Sequence, residues 1–296
     1  MLLSCVLILE AQQEGKIPLT HGDLVHAALL DLIKKNLPED EAFLSWELHE
    51  LDRYKPFTVS QLFGDHRMEN YKIIVEAEQT FQLRITSLDK TLSECLLAIK
   101  EKSVNLIKIG SVIFDIQEVI TDKDEHRWGN QSNYQELTKI WSDADIALPR
   151  KLSFRFFSPT GFRDGTQNVI FPLPHLVFYS LAEKWLKYAP QPFTEEILTF
   201  QNEMKTWQEK SKVATDKTKV WEILDKLINV ANYDLRTRML NFREYKRIGF
   251  TGTVEFEILP SVPDKWLRIL NLLADFSFYA GIGSQTTMGM GKQCEF

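Results

Sequence analysis

The residues with the most evident capacity for chemistry lie near the C-terminal end, in Gly281-Ile282-Gly283-Ser284-Gln285-Thr286-Thr287-Met288-Gly289-Met290-Gly291-Lys292. Four glycines in eleven residues, arranged as two G-x-G pairs around a polar spacer, describe a backbone that must come close to something. Such a loop either makes a tight helix-to-strand turn or cradles a phosphate with its amide groups. The dinucleotide fingerprint and the P-loop place their glycines after a strand and before a helix; here the order is reversed, so neither fits. Six histidines supply groups that titrate near neutrality and can give or take a proton. His26 lies at the edge of an apolar helical face, and His21 stands beside the start of that helix. His49-Glu50 is not followed by a second histidine at the zinc-protease spacing, and no Ser-His-Asp or paired-cysteine pattern is present. A basic cluster, Arg236, Arg238, Arg243, Lys246 and Arg247, is offset only by Glu244, and Arg150, Lys151, Arg155 and Arg163 form a second one. Arg236 and Arg238 are two apart on a strand and share a face.

The elements that must position these residues follow from periodicity. Residues Leu2 to Glu10 read as a strand, and Thr20 with Asp23 as a capped helix start. Leu24, Val25, Ala28, Leu29, Leu32 and Ile33 repeat at helical spacing. Glu39 to Leu48 reads as a short helix and Phe57 to Phe63 as a strand. Tyr71 to Leu88 alternates as a pair of strands joined near Glu78-Gln79. A helix over Asp89 to Lys102 and a strand over Asn105 to Thr121 complete a β-α-β-β-α-β order, that of the ferredoxin-like fold. Gln131 to Asp143 reads as a linking helix. The second half offers a strand at Arg150 to Ser158, a helix from Pro174 to Tyr188, strands at Tyr233 to Asn241 and Arg247 to Ile258, a helix from Pro263 to Ala280 and a last strand from Met288 to Phe296. The polar stretch from Pro190 to about Lys219 reads as a helical insertion more than a core element. The expected fold is therefore α+β, with two tandem ferredoxin-like domains over residues 1–145 and 146–296, the second ending in the glycine-rich loop.

With 296 residues the chain is long enough for two modest cores. Three widely spaced cysteines, Cys5, Cys95 and Cys294, suggest neither a disulfide framework nor a zinc ribbon. The run Leu2 to Leu9 is too short to span a membrane and lacks the features of a signal peptide, so a cytoplasmic protein with no membrane partner is expected. The formal net charge of −6 leaves room for a basic groove, because binding depends on local fields.

Two ferredoxin-like domains with a glycine loop between the last helix and last strand resemble the CRISPR-associated endoribonucleases of the repeat-associated (RAMP) superfamily, which cut long CRISPR transcripts into guide RNAs. Gly281-Ile282-Gly283 and Gly289-Met290-Gly291 match that family's loop in pattern and position. His49 and Lys55, six apart and followed by Pro56-Phe57-Thr58-Val59-Ser60, match a second feature found in some members. The resemblance implies metal-independent cleavage of CRISPR repeat RNA, with the 2′-hydroxyl as internal nucleophile, leaving a 2′,3′-cyclic phosphate and a 5′-hydroxyl. It makes His49 a general acid or base, Lys55 a cation for the phosphorane, and the loop with Lys292 and the basic cluster an RNA-backbone clamp. The family often has a tyrosine on the first helix, where this chain has Leu30; His26 is then the candidate for the complementary proton transfer. No metal or organic cofactor is implied. The partners implied are the repeat RNA and a larger CRISPR effector complex, for a monomer or homodimer. A non-catalytic RNA-binding subunit of such a complex shares the core and the loop but does not need the pair His49 and Lys55. A small-molecule-binding ferredoxin-like regulator is the remoter alternative.

Overall fold

A computed structural model describes residues 1–36, 54–99, 105–210, 220–243, 245–291 and 293–294. The segment expected to be helical at Glu39 to Leu48 lies outside them. The chain forms two compact units. The first comprises Met1–Gln131 with Leu240–Arg247 and Gln285–Met290; the second comprises Ser132–Met239, Ile248–Ser284 and Gly291–Phe296.

The first unit begins with β1 (Leu2–Ala11), β2 (Gly15–Pro18) and α1 (Gly22–Asn36). β3 (Phe57–Val59), β4 (Arg67–Glu69), β5 (Lys72–Val75) and β6 (Thr80–Ser87) follow, then α2 (Lys90–Ala98), β7 (Leu106–Ile109) and β8 (Val112–Ile120). Its main sheet runs β3-β6-β1-β8-β7, with β9 (Asn130–Ser132) added to β1. Taking β3, β6, β1 and β8 alone, this is the ferredoxin-like order, antiparallel throughout. Leu3, Cys5, Leu7 and Leu9 alternate along β1 and pack with Val25, Leu29, Leu32 and Ile33 of α1 and with Leu92 and Leu96 of α2. That alternation puts one face of the sheet under the two helices.

Two expectations are corrected here. The strands read over Tyr71 to Leu88 do exist, but they belong to different sheets: β5 pairs with β2 and β4, and β6 with β1 and β3. Alternation reports a buried face and carries no information about which strand lies alongside. Thr20 was also expected to cap α1. Its Oγ1 instead accepts from the Asn241 amide at 3.1 Å, while the helix opens with Val25 N–H donating to the His21 carbonyl.

The second unit contains α3 (Tyr134–Ser142), β10 (Lys151–Thr160), β11 (Phe162–Asp164), β12 (Gln167–Val169), α4 (Pro174–Tyr188) and α5 (Phe193–Lys210). After these come α6 (Leu224–Leu227), β13 (Ile228–Asn241), β14 (Lys246–Ile258), α7 (Asp264–Ala280) and β15 (Gln293–Cys294). The sheet order β13-β14-β10-β15 repeats the ferredoxin-like arrangement. Leu152, Phe154 and Phe156 of β10 are buried; Phe154 meets Phe178 of α4 edge to face. Lys151, Ser153 and Arg155, on the opposite face, are exposed.

α5 is a further correction. Ile197, Phe200 and Met204, at helical spacing, are fully buried or nearly so, and Phe200 packs edge to face on both Trp221 and Trp266. The polar composition of this stretch conceals a narrow apolar stripe that covers the unit's core. Among the described residues no helix is long and apolar enough to cross a membrane.

Candidate active site

The glycine loop departs from the C-terminus of α7 and is anchored in the second unit by its own amides. Ile282 N–H donates to the Gly291 carbonyl, Gly291 N–H to the Pro159 carbonyl, and Ser284 N–H to the Gly161 carbonyl. Gly283 N–H donates to Ser180 Oγ at 3.0 Å, and the Gly281 amide caps α7 through the Ser277 carbonyl. Gly281, Gly283, Gly289 and Gly291 all have positive φ, between 62° and 83°. The glycine pairs therefore build the turn, and several residues of the stretch between them are part-exposed.

Beneath this turn lies a group that sequence inspection passed over. Lys184 of α4 is buried, and its Nζ donates to the Ala280 and Gly281 carbonyls at 2.8 and 2.9 Å, at the end of α7 where the loop begins. Burial pushes its ammonium down to about 7. The signal was available: Val177, Leu181 and Lys184 stand at i, i+4 and i+7, which puts the lysine on the apolar stripe of its helix.

The middle of the loop, Gln285–Met290, belongs to the first unit and sits on the start of α1. A one-turn 3₁₀ helix spans Thr286–Met288, entered through Gln285 in the left-handed region and left through Gly289. A Cβ on Gly22 would come within 1.8 Å of the Met288 carbonyl oxygen, so α1 must begin with glycine for the loop to rest there. One helical turn further on, His26 Nδ1 meets the Thr287 carbonyl oxygen at 3.1 Å, and its ring stacks on buried Phe57 with centroids 5.5 Å apart. Lys55, part-buried, stands two residues before Phe57 at the approach to β3. The structure thus gathers His26, the mouth of β3 and the centre of the glycine loop around the N-terminal end of α1. His49 and Lys292 lie outside the described residues.

The tip of the β13–β14 hairpin joins the same unit. Phe242 and Tyr245 stack at 4.9 Å, and the Arg247 guanidinium lies 5.2 Å above the Tyr245 ring. Gln285 Nε2 donates to Tyr245 Oη at 2.8 Å, and Arg243 approaches Asp23 of α1 at 3.9 Å. Lys246 is exposed beside them. Arg236 and Arg238 are exposed on β13 in the second unit, at the free edge of its sheet. Arg150, by contrast, is engaged in the fold, donating to the Leu259 and Val262 carbonyls.

The remaining histidines have structural partners. His21 is buried; its Nδ1 donates to the Pro18 and Leu19 carbonyls and its Nε2 accepts from Leu62 N–H, and burial holds its pKa below the ordinary histidine value. His66 bonds to the Gly64 carbonyl, His126 accepts from Trp128 N–H, and His175 pairs with Asp225 at 2.5 Å.

Residues 154–293 match the family model for the CRISPR-associated endoribonuclease Cas6. A Streptococcus thermophilus CRISPR-associated endoribonuclease Cas6 is 27% identical over 198 residues, 66% of this chain and 65% of that protein. Over these stretches the chain is similar to Cas6 endoribonucleases. The alignment thus spans just under two thirds of that relative's length. The fold agrees from end to end: a Thermus thermophilus Cas6, 23% identical, superposes with a TM-score of 0.67 over 99% of this chain and 98% of its own. A product complex of the same Cas6 gives 0.72 over 99% of each chain. An RAMP protein solved as binding different RNA substrates, 13% identical, gives 0.55 over 99% and 98%. The family match includes the whole loop that His26 touches.

Proposed function

We propose that this chain is an endoribonuclease that cleaves CRISPR repeat RNA within precursor transcripts. The observation that carries this reading is the placement of an imidazole, His26, against the centre of the loop that the Cas6 model covers. In the reaction the substrate's 2′-oxygen attacks the adjacent phosphorus, its proton passes to a base, and the bond from phosphorus to the 5′-oxygen breaks as that oxygen takes a proton from an acid. The products are a 2′,3′-cyclic phosphate and a 5′-hydroxyl. Because the nucleophile is the RNA's own hydroxyl, the scheme calls for two proton-transfer groups and a cation at the phosphoryl oxygens.

His26 and His49 share the proton transfers, and Lys55 faces the developing negative charge. These groups belong to the N-terminal domain, residues 1–145; the C-terminal domain, 146–296, holds the RNA. Arg236, Arg238, Arg243, Lys246 and Arg247 run along one hairpin and follow the backbone of a folded repeat, whose A-form grooves favour recognition by shape and phosphate. The loop, with Gly281, Gly283, Gly289 and Gly291 shaping its backbone and Lys292 at its end, carries the phosphates next to the cut.

The test is incubation of the full-length chain with the repeat RNA encoded beside it, in EDTA, with analysis of the product ends. Cutting to cyclic phosphate and 5′-hydroxyl ends is expected. Binding without cutting would instead identify a non-catalytic RNA-binding subunit.

A further inference from the structure

We propose that the Thr287 backbone carbonyl is a positioning group for His26, holding the imidazole with its proton on Nδ1 so that Nε2 is the nitrogen that exchanges a proton with the RNA. The inference rests on the reading of His26 as a proton-transfer residue and adds to it the atom that acts and the part of the chain that selects it.

A carbonyl oxygen can only accept, so the 3.1 Å contact requires a proton on Nδ1 whether the ring is neutral or charged. The partner of one ring nitrogen thereby decides the state of the other. In the neutral ring Nε2 is then the basic atom; in the imidazolium it is the acid. Free imidazole side chains in water favour the opposite arrangement, with the proton on Nε2, so the loop imposes a tautomer the residue would not choose alone. The ring plane is fixed as well, by the stack on Phe57, which is buried at the start of β3.

The carbonyl is itself held in place. Gln285 adopts φ 56° and accepts at its carbonyl from Met288 N–H at 2.9 Å and from Met290 N–H at 3.3 Å, which closes the 3₁₀ turn around Thr287. Gln285 Nε2 reaches Tyr245 Oη, and Tyr245 Oη reaches Met288 Sδ at 3.5 Å, so the stacked hairpin tip braces the turn from one side. Gly22 seats it on α1 one turn before His26. His21 carries the same tautomer for the same reason: its Nδ1 donates to a carbonyl, and Leu62 N–H donates to its Nε2. The loop that the family pattern marks as an RNA holder is in this account also part of the catalytic apparatus, and displacement of the loop would misdirect the base.

The decisive measurement is a two-bond ¹H–¹⁵N correlation spectrum of the full-length chain with ¹⁵N-labelled histidine, at a pH where the imidazoles are neutral, with His26→Gln used to assign the signal. The Nδ1–H pattern is expected for His26; an Nε2–H pattern or a mixture overturns the proposal. A second variant, Gly289→Ala, places an L side chain at φ 81°, which strains the turn, with the new Cβ 3.1 Å from Gln61 Cγ. It is expected to return His26 to the tautomer balance of free histidine and to slow single-turnover cleavage on the order of 10²-fold. A changed tautomer with an unchanged rate overturns the positioning role. Full activity of a His26→Ala variant would instead remove His26 from the chemistry while leaving the measured tautomer as it stands, so the two ideas fail separately.

Discussion

His26→Ala is expected to slow single-turnover cleavage of repeat RNA by about 10²–10⁴-fold, the range for loss of one positioned acid or base, while leaving RNA affinity little changed. The side chain is part-exposed at the edge of the apolar face of α1, and the residues that fix that helix to the sheet, Val25, Leu29, Leu32 and Ile33, are untouched by the substitution. Alanine is the best helix former, so α1 itself is not weakened. What is lost is the imidazole, its stack on Phe57 and its bond to Thr287. Measuring cleavage with enzyme in excess, next to an equilibrium binding curve and a thermal melt, separates the chemical step from binding and from folding. An unchanged cleavage rate would take His26 out of the reaction.

The second large effect concerns Lys184 and appears in stability. Its ammonium pKa lies at about 7 in the folded chain against an ordinary 10.5, and burial is the cause. Between these values the unfolded chain binds one proton more than the folded chain, so stability rises with pH by up to ~1.4 kcal/mol per unit from this one group. Below about pH 7 both states are protonated and this contribution to the slope vanishes. Lys184→Met removes the titration, and the difference between the two proteins' denaturation free energies, followed from pH 7 to 9, is expected to change along that slope. The variant also leaves the Ala280 and Gly281 carbonyls without their buried donor, a cost of ~1–3 kcal/mol for each group left unsatisfied. A pH-independent difference would show that the two carbonyls keep Lys184 charged in the fold. Those carbonyls end α7 and begin the glycine loop.

The order of elements was readable because it rests on local periodicity. The helix from Pro174 to Tyr188 has the bounds its spacing indicated, and the one ending at Ala280 differs by a single residue at its start. Both ferredoxin-like sheets follow from that order. Pairing was less legible: nothing in the alternation of Tyr71 to Leu88 shows that β5 leaves the main sheet for β2 and β4. α5 was obscured because three buried residues, Ile197, Phe200 and Met204, are diluted by the charges around them.

The site divides in the same way. His26 could be singled out by its place on a helix face, and the glycine pattern by its composition. The bond between His26 and Thr287 joins residues 261 positions apart, and that between Thr20 and Asn241 residues 221 apart. Contacts at such separation leave no local signature. Thr20 illustrates the effect: its residue type and position suggested a helix cap, yet its hydroxyl serves the hairpin tip. The glycine loop changes meaning as well, since its paired glycines shape the backbone and the residues between them face the helix that carries His26.

The most direct test of the central claim, that the RNA's own 2′-hydroxyl is the nucleophile, uses a repeat RNA with a single 2′-deoxy substitution at the mapped scissile nucleotide. Single-turnover reactions in EDTA with the full-length chain would compare it with the unmodified RNA. The account predicts that the modified RNA is bound with similar affinity and is not cut, while the unmodified RNA yields a 2′,3′-cyclic phosphate. Cleavage of the deoxy substrate at the same position would contradict it.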